Sequence, residues 1–116
     1  MRITLPLPPS INRYYSTNVQ GRRFKTRLAT NWENEAGHTL MEQNKFKKIF
    51  GKREVVVTYR FYFKDNRSDY GNRTKILDDL LQKTGIIDND KQIMEAHIYK
   101  HIDSKNMRVE VEIQGV

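Results

Sequence analysis

The chain has 116 residues, with 21 Lys and Arg against 14 Asp and Glu for a net charge of +7, three histidines and no cysteine. A single domain of this length buries roughly two-thirds of its unfolded surface, and the missing cysteines exclude zinc-finger and disulfide scaffolds. Hydrophobic residues make up 37% and fall in runs too short to cross a bilayer, and the opening MRITLPLPPS is too short and proline-rich for a signal peptide, so a soluble cytoplasmic protein is expected.

Residues 2–7 alternate around Ile3, Leu5 and Leu7 and read as a strand that Pro8-Pro9-Ser10 ends by removing amide donors. Residues 12–25 read as an arm or loop that mixes Tyr14, Tyr15 and Phe24 with Arg13, Arg22, Arg23 and Lys25, a combination suited to stacking on and neutralising nucleic acid, or to packing on the body. Thr30-Asn31-Trp32-Glu33 has capping-box spacing, and Leu28, Trp32, Ala36 and Leu40 recur every four residues, which predicts a helix over 27–47 with Trp32 on its buried face. A strand over 53–63 sets Val55, Val57, Tyr59, Phe61 and Phe63 on one side. A second helix over 72–83 gathers Ile76, Leu77, Leu80 and Leu81 on one arc and Asn72, Lys75 and Asp79 on the neighbouring flank, with Gly85 placed to end it. Two strands, 93–102 and 107–113, close a β-α-β-α-β-β order, an α+β fold in one domain spanning 1–116.

The charge is uneven. Residues 1–32 hold Arg2, Arg13, Arg22, Arg23, Lys25 and Arg27 without an acid, Lys45, Lys47, Lys48, Lys52 and Arg53 form a second basic stretch, and six of the fourteen acids lie between Asp65 and Asp90. Basic clusters suit a polyanion, since each neutralised phosphate releases counterions; a merely soluble basic surface is the plainer alternative. Chemistry is expected in residues 68–93. A 12-residue helix rises about 18 Å and the seven residues from Thr84 to Asp90 reach about 23–25 Å when extended, so Asp90 can return to Asp69 at the helix start. Two carboxylates suffice for Mg²⁺ when water and phosphate oxygens complete its shell, with Lys75 offsetting phosphate charge and Asn72 capping or steadying a carboxylate. The same residues also suit ordinary caps, a surface lysine and an Asp88-Asn89-Asp90 turn. His97 and His101 lie about 13 Å apart along one strand and cannot share a metal, and no phosphate loop or nucleophile triad is present.

The first strand followed by Pro8-Pro9-Ser10-Ile11-Asn12-Arg13-Tyr14-Tyr15, then Asp69-x-x-Asn72-x-x-Lys75 with Asp79, then Asp90-x-Gln92-Ile93, resembles the RusA family of Holliday junction resolvases over nearly the whole chain. The resemblance implies a mixed sheet packed against two helices and a Mg²⁺-dependent endonuclease, Mn²⁺ being a possible substitute, that needs no small-molecule cofactor or membrane. It also implies a homodimer that makes paired symmetric nicks in four-way junction DNA. Carried over, the metal-binding aspartates fall on Asp69 and Asp90 and the essential lysine on Lys75, with Asn72, Asp79 and Gln92 in support. The DNA surface is expected on Asn12, Arg13, Tyr14, Arg22, Arg23, Lys25, Arg67 and Arg73. The family pattern Asp-x-Asp-Asn reads Asp69-Tyr70-Gly71-Asn72 here, so one of three expected carboxylates is absent. Asp65, Asp79 or Asp88 could replace its charge. The alternative function is a non-catalytic module that binds branched DNA or RNA; a third is an interaction domain whose charge is incidental.

Overall fold

A computed structural model describes residues 1–43 and 50–116. Lys45, Lys47, Lys48 and the predicted helical extension to residue 47 lie outside the described residues. The elements are β1 (Arg2–Leu5), α1 (Ile11–Tyr14), β2 (Tyr15–Thr17), β3 (Arg23–Lys25), α2 (Arg27–Gln43), β4 (Val55–Phe63), α3 (Arg73–Lys83), a 3₁₀ turn (Asp90–Gln92), β5 (Ile93–Ile102) and β6 (Arg108–Gly115). This is the expected α+β architecture. Four strands form one mixed sheet in the order β1-β6-β4-β5, with β4 parallel to β5 and antiparallel to β6, and β2 pairs with β3 in a separate hairpin.

Alternation decides which face of the sheet is covered. Val55, Val57, Tyr59, Phe61 and Phe63 of β4 and Val109, Val111 and Ile113 of β6 all turn inward and are buried. They join Ile76, Leu77, Leu80 and Leu81 of α3 and Trp32, Ala36 and Leu40 of α2 in one hydrophobic cluster. Burial of this apolar surface is the main favourable term in folding, at roughly 25 cal/mol per Å². The parallel β4–β5 pair requires a crossover, and α3 supplies it, so the loops before and after α3 hold the residues at which chemistry was expected.

Several boundaries differ from the sequence expectation for identifiable reasons. The first strand stops at Leu5, since Pro6 has no amide to donate, and the Pro6 carbonyl instead accepts from Trp32 Nε1 at 2.8 Å. Helix α2 starts at Arg27 rather than at the Thr30 capping box: Thr26 Oγ1 accepts from the Ala29 amide at 3.2 Å, and Thr30 lies inside the helix. The buried stripe is consequently Ala29, Trp32, Ala36 and Leu40, whereas Leu28 is exposed. The arm is an ordered hairpin. Asn18 Oδ1 accepts from the Gln20 and Arg22 amides and Gly21 takes φ +80°, which closes the turn between β2 and β3.

Gly85 ends α3 as expected. It takes φ +78°, its amide donates to the Gln82 carbonyl at 3.2 Å, and the Ile86 amide donates to Leu81 at 3.0 Å, the paired bonds of a Schellman motif. Buried Ile86 and Leu81 provide its hydrophobic contact, and the turn redirects the chain back along α3.

Candidate active site

The polar flank of α3 carries Asn72, Lys75, Asp79 and Gln82 at helical spacing beside the buried arc. Lys75 Nζ lies 3.4 Å from Asp79 Oδ1 and 3.7 Å from Asp90 Oδ2, so one ammonium joins two carboxylates from different segments. The hydrogen bond and charge of Asp79, together with Asp90, raise the Lys75 pKa and keep it a cation. Immediately inside, the Tyr59 hydroxyl donates to Asp78 Oδ1 at 2.6 Å. Burial pushes the Asp78 carboxyl up, and the neighbouring Asp79 and Asp90 charges push it further against the Tyr59 bond.

Asp90 is held from two sides. Its amide donates to Gln82 Oε1 at 3.0 Å, which docks the 3₁₀ turn on the α3 flank. Gln92 uses its whole amide: Oε1 accepts from the Asp88 and Asn89 amides, both at 2.8 Å, and Nε2 donates to the Gly51 and Arg53 carbonyls at 2.8 and 2.7 Å. Asn89 caps the turn by accepting from the Lys91 amide. Gln82 was not singled out in the sequence, although it continues the Asn72-Lys75-Asp79 spacing by one further step.

Asp69 belongs to the loop between β4 and α3. Its backbone carbonyl accepts from Arg73 Nη1, and Arg73 Nε donates to the Pro8 carbonyl at 2.9 Å. The Arg73 guanidinium lies 5.1 Å from the Phe63 ring centroid and is partly buried, so it staples the Pro8 segment to the Asp69 loop. Asn72 occupies the N-cap position of α3 without a side-chain capping bond. Gly71 has φ +33°, and a Cβ there would meet Asp69 Oδ1 at 2.7 Å. Among the described residues no group of three or more His, Asp or Glu side chains is placed to hold a metal. Asp79 and Asp90 nevertheless present carboxylate oxygens on either side of the Lys75 ammonium, and such hard donors are of the type Mg²⁺ or Mn²⁺ takes when water and phosphate oxygens complete the shell.

The hairpin borders this cluster. Tyr14, Lys25, Asp79 and Lys83 line one cleft with Glu33. Glu33, read in the sequence only as a capping residue, accepts from the Tyr14 hydroxyl, from Lys25 Nζ at 2.8 Å and from Lys83 Nζ at 3.2 Å, tying the hairpin to α2 and α3. Burial alone would raise its carboxyl, but the bonds from Lys25, Tyr14 and Lys83 outweigh burial and hold it below the ordinary glutamate value. The Tyr14 ring is buried and takes the packed alternative, whereas Asn12, Arg13, Arg22, Arg23, Phe24 and Lys25 are exposed. The Arg23 guanidinium covers the Tyr15 ring at 3.8 Å. Arg67 is exposed and paired with Asp65 at 2.8 Å.

The chain matches the family model described as Endodeoxyribonuclease RusA over residues 6–114. It belongs to the RusA family. The crossover junction endodeoxyribonuclease RusA of Aquifex aeolicus (strain VF5) is 36% identical over 110 residues, a stretch that covers 95% of this chain and 85% of that protein. The RusA match includes the hairpin, the α3 flank and the Asp90 turn in one stretch. Among the described residues of this RusA-family chain, no helix is long and apolar enough to cross a membrane.

Proposed function

We propose that this endodeoxyribonuclease acts on four-way junction DNA, using a divalent cation, Mg²⁺ or Mn²⁺, held by Asp69 and Asp90 with Asp79 in support. We further assign it a homodimer in which two equivalent sites make paired, symmetric nicks. The observation that carries the reading is the convergence of Lys75, Asp79 and Asp90 beside a basic, aromatic hairpin, in a chain of this family. When bound, the cation would polarise the scissile phosphate and lower the pKa of an attacking water.

The chain's own groups do the rest. Gln82 and Gln92 fix the Asp90 turn, so the carboxylate is oriented before DNA arrives. Lys75 offsets charge developing on the phosphate oxygens, a role that needs a cation beside the carboxylates. Arg13, Arg22, Arg23 and Lys25 contact backbone phosphates and Phe24 offers a ring to an unpaired base, contacts that respond to branch shape more than to sequence.

The Gly71 position also favours a second reading, a module that binds branched DNA or RNA without cutting it, because the carboxylate that the family pattern places there is missing. Both readings meet the same experiment: nicking of a synthetic four-way junction with Mg²⁺ or Mn²⁺, run with Asp90→Asn. Cleavage by the parent chain that falls about 100-fold or more in the variant, with junction binding retained, supports the nuclease. Binding of the junction without nicking by either protein supports the second reading.

A further inference from the structure

Among the described residues, strand β5 forms one margin of the main sheet and pairs with β4 alone, which leaves the other edge of its ten residues facing outward. Its inner face packs Ile93 and Ile98 against the core but, among the described residues, runs on into uncovered surface. Tyr59, Phe61 and Phe63 on β4 are at most 1% exposed, yet Ile102, in register with Phe63, is 52% exposed; Met94 is exposed as well, as is Tyr99 on the outer face in register with Arg60. Edge strands are normally blunted by proline, outward lysine or shortness. The opposite margin obeys that rule, since β1 has four residues and stops at Pro6. β5 has no proline, and its single lysine is turned away: Lys100 Nζ donates to the Asn66 carbonyl at 3.2 Å.

We infer that the free edge of β5 pairs antiparallel with β5 of a second copy, about a two-fold axis at Ile98, joining two four-stranded sheets into one of eight. This rests on the homodimer reading above and names its surface. The sequence IMEAHIYKHI is complementary to itself in that register. Ile98 faces its own copy, Met94 falls opposite Ile102, Glu95 opposite His101, His97 opposite Tyr99 and the small Ala96 opposite Lys100, whose ammonium is drawn away to Asn66, so the two large apolar pairs match and a carboxylate meets an imidazole. Neighbouring registers that keep each side chain on its face are worse. Centring on His97 sets Met94 against Lys100; centring on Tyr99 sets His97 against His101 and Glu95 against Asp103. Glu95 and His101 are already held on the outer face, Glu95 by His97 at 3.0 Å and His101 by stacking on Tyr62 at 4.8 Å.

The chain has no cysteine, so one introduced thiol reports the register. Directly opposed residues of an antiparallel pair have Cα atoms about 4.5–5.5 Å apart, within disulfide reach. Ile98→Cys is therefore expected to oxidise to a covalent dimer. Ala96→Cys is not, since the axis would leave its two copies about 13 Å apart along the strands. In parallel, sedimentation of the unmodified chain is compared with Met94→Lys/Ile102→Lys, two exposed positions where folding is checked by circular dichroism. The expected result is a dimer whose dissociation constant rises at least about tenfold in the folded double variant. A dimer that neither weakens in the double variant nor cross-links in Ile98→Cys overturns the β5 surface and leaves the homodimer standing. Equal cross-linking in Ala96→Cys overturns the register, and a monomer throughout overturns both.

Discussion

Gly71 stands with φ +33° where an added Cβ would touch the Asp69 carboxylate. Only the mobile end of Asp69 blocks that space, and aspartate is among the few side-chain-bearing residues that tolerate a left-handed backbone. Gly71→Asp is therefore expected to fold, to turn Asp69 aside, and to raise Mg²⁺-dependent nicking by roughly tenfold or more. Gly71→Ala is the control: it places a Cβ at the same left-handed position, at a cost of about 1–2 kcal/mol that aspartate softens, and brings no carboxylate, so urea denaturation should show the loss and the nicking assay no gain. Nicking unchanged in Gly71→Asp would place the metal site elsewhere. Glu33 gives a second test at this scale. Its pKa is lowered on folding, so its stabilising contribution is present at neutral pH and disappears as pH falls from the unfolded glutamate range, about 4.3, through the lower folded value. Glu33→Gln should lower the urea midpoint at pH 7, and the gap between the two proteins should shrink by pH 3.

At the scale of elements, the hairpin of β2 and β3 projects Arg22 and Arg23 away from the core while Glu33 anchors its base through Tyr14 and Lys25. If those arginines meet phosphates, Arg22→Ala/Arg23→Ala should weaken junction binding at every sequence. It should also reduce the slope of log K against log salt by about 1–2, measured by gel shift over a salt series. Unchanged slope would remove the hairpin from the DNA surface. The elements themselves were largely legible. Strict alternation over β4 and the four-residue apolar recurrence in α3 each have one solution, and both appear with the expected residues buried. What was not legible among the elements turned on which of several competing local hydrogen bonds forms. Thr26 outcompeted Thr30 as the start of α2, and Asn18 with Gly21 turned an apparent arm into a hairpin. The site was legible only in part because its remaining contacts join separate segments. Helical spacing put Lys75 and Asp79 together, but nothing local announced that Gln82 and Gln92 would grip the Asp90 turn or that Glu33 would collect three donors from separate segments.

For the whole molecule, the net charge of +7 coexists with a compact acidic cluster on one flank of α3. Long-range attraction can bring DNA in, while close approach to the carboxylates favours a cation between them and phosphate. If two such sites act together on one branch point, a supercoiled plasmid extruding a cruciform should be converted mainly to linear product. A mixture of parent chain with excess Asp90→Asn should yield mainly nicked circles, as read on an agarose gel. Equal proportions of the two products in both reactions would argue against concerted sites.

The strand order has a bearing on biosynthesis. The C-terminal strand β6 lies between β1 and β4, and the Met1 ammonium donates to the Ile113 carbonyl at 2.8 Å. Neither margin of the sheet can be joined to the other until β6 has left the ribosome. The newly made polypeptide must therefore carry an open, greasy β4 edge from the time β4 emerges until β6 follows it, and a message cut short before β6 would produce a substrate for chaperones and proteases rather than a weakened nuclease.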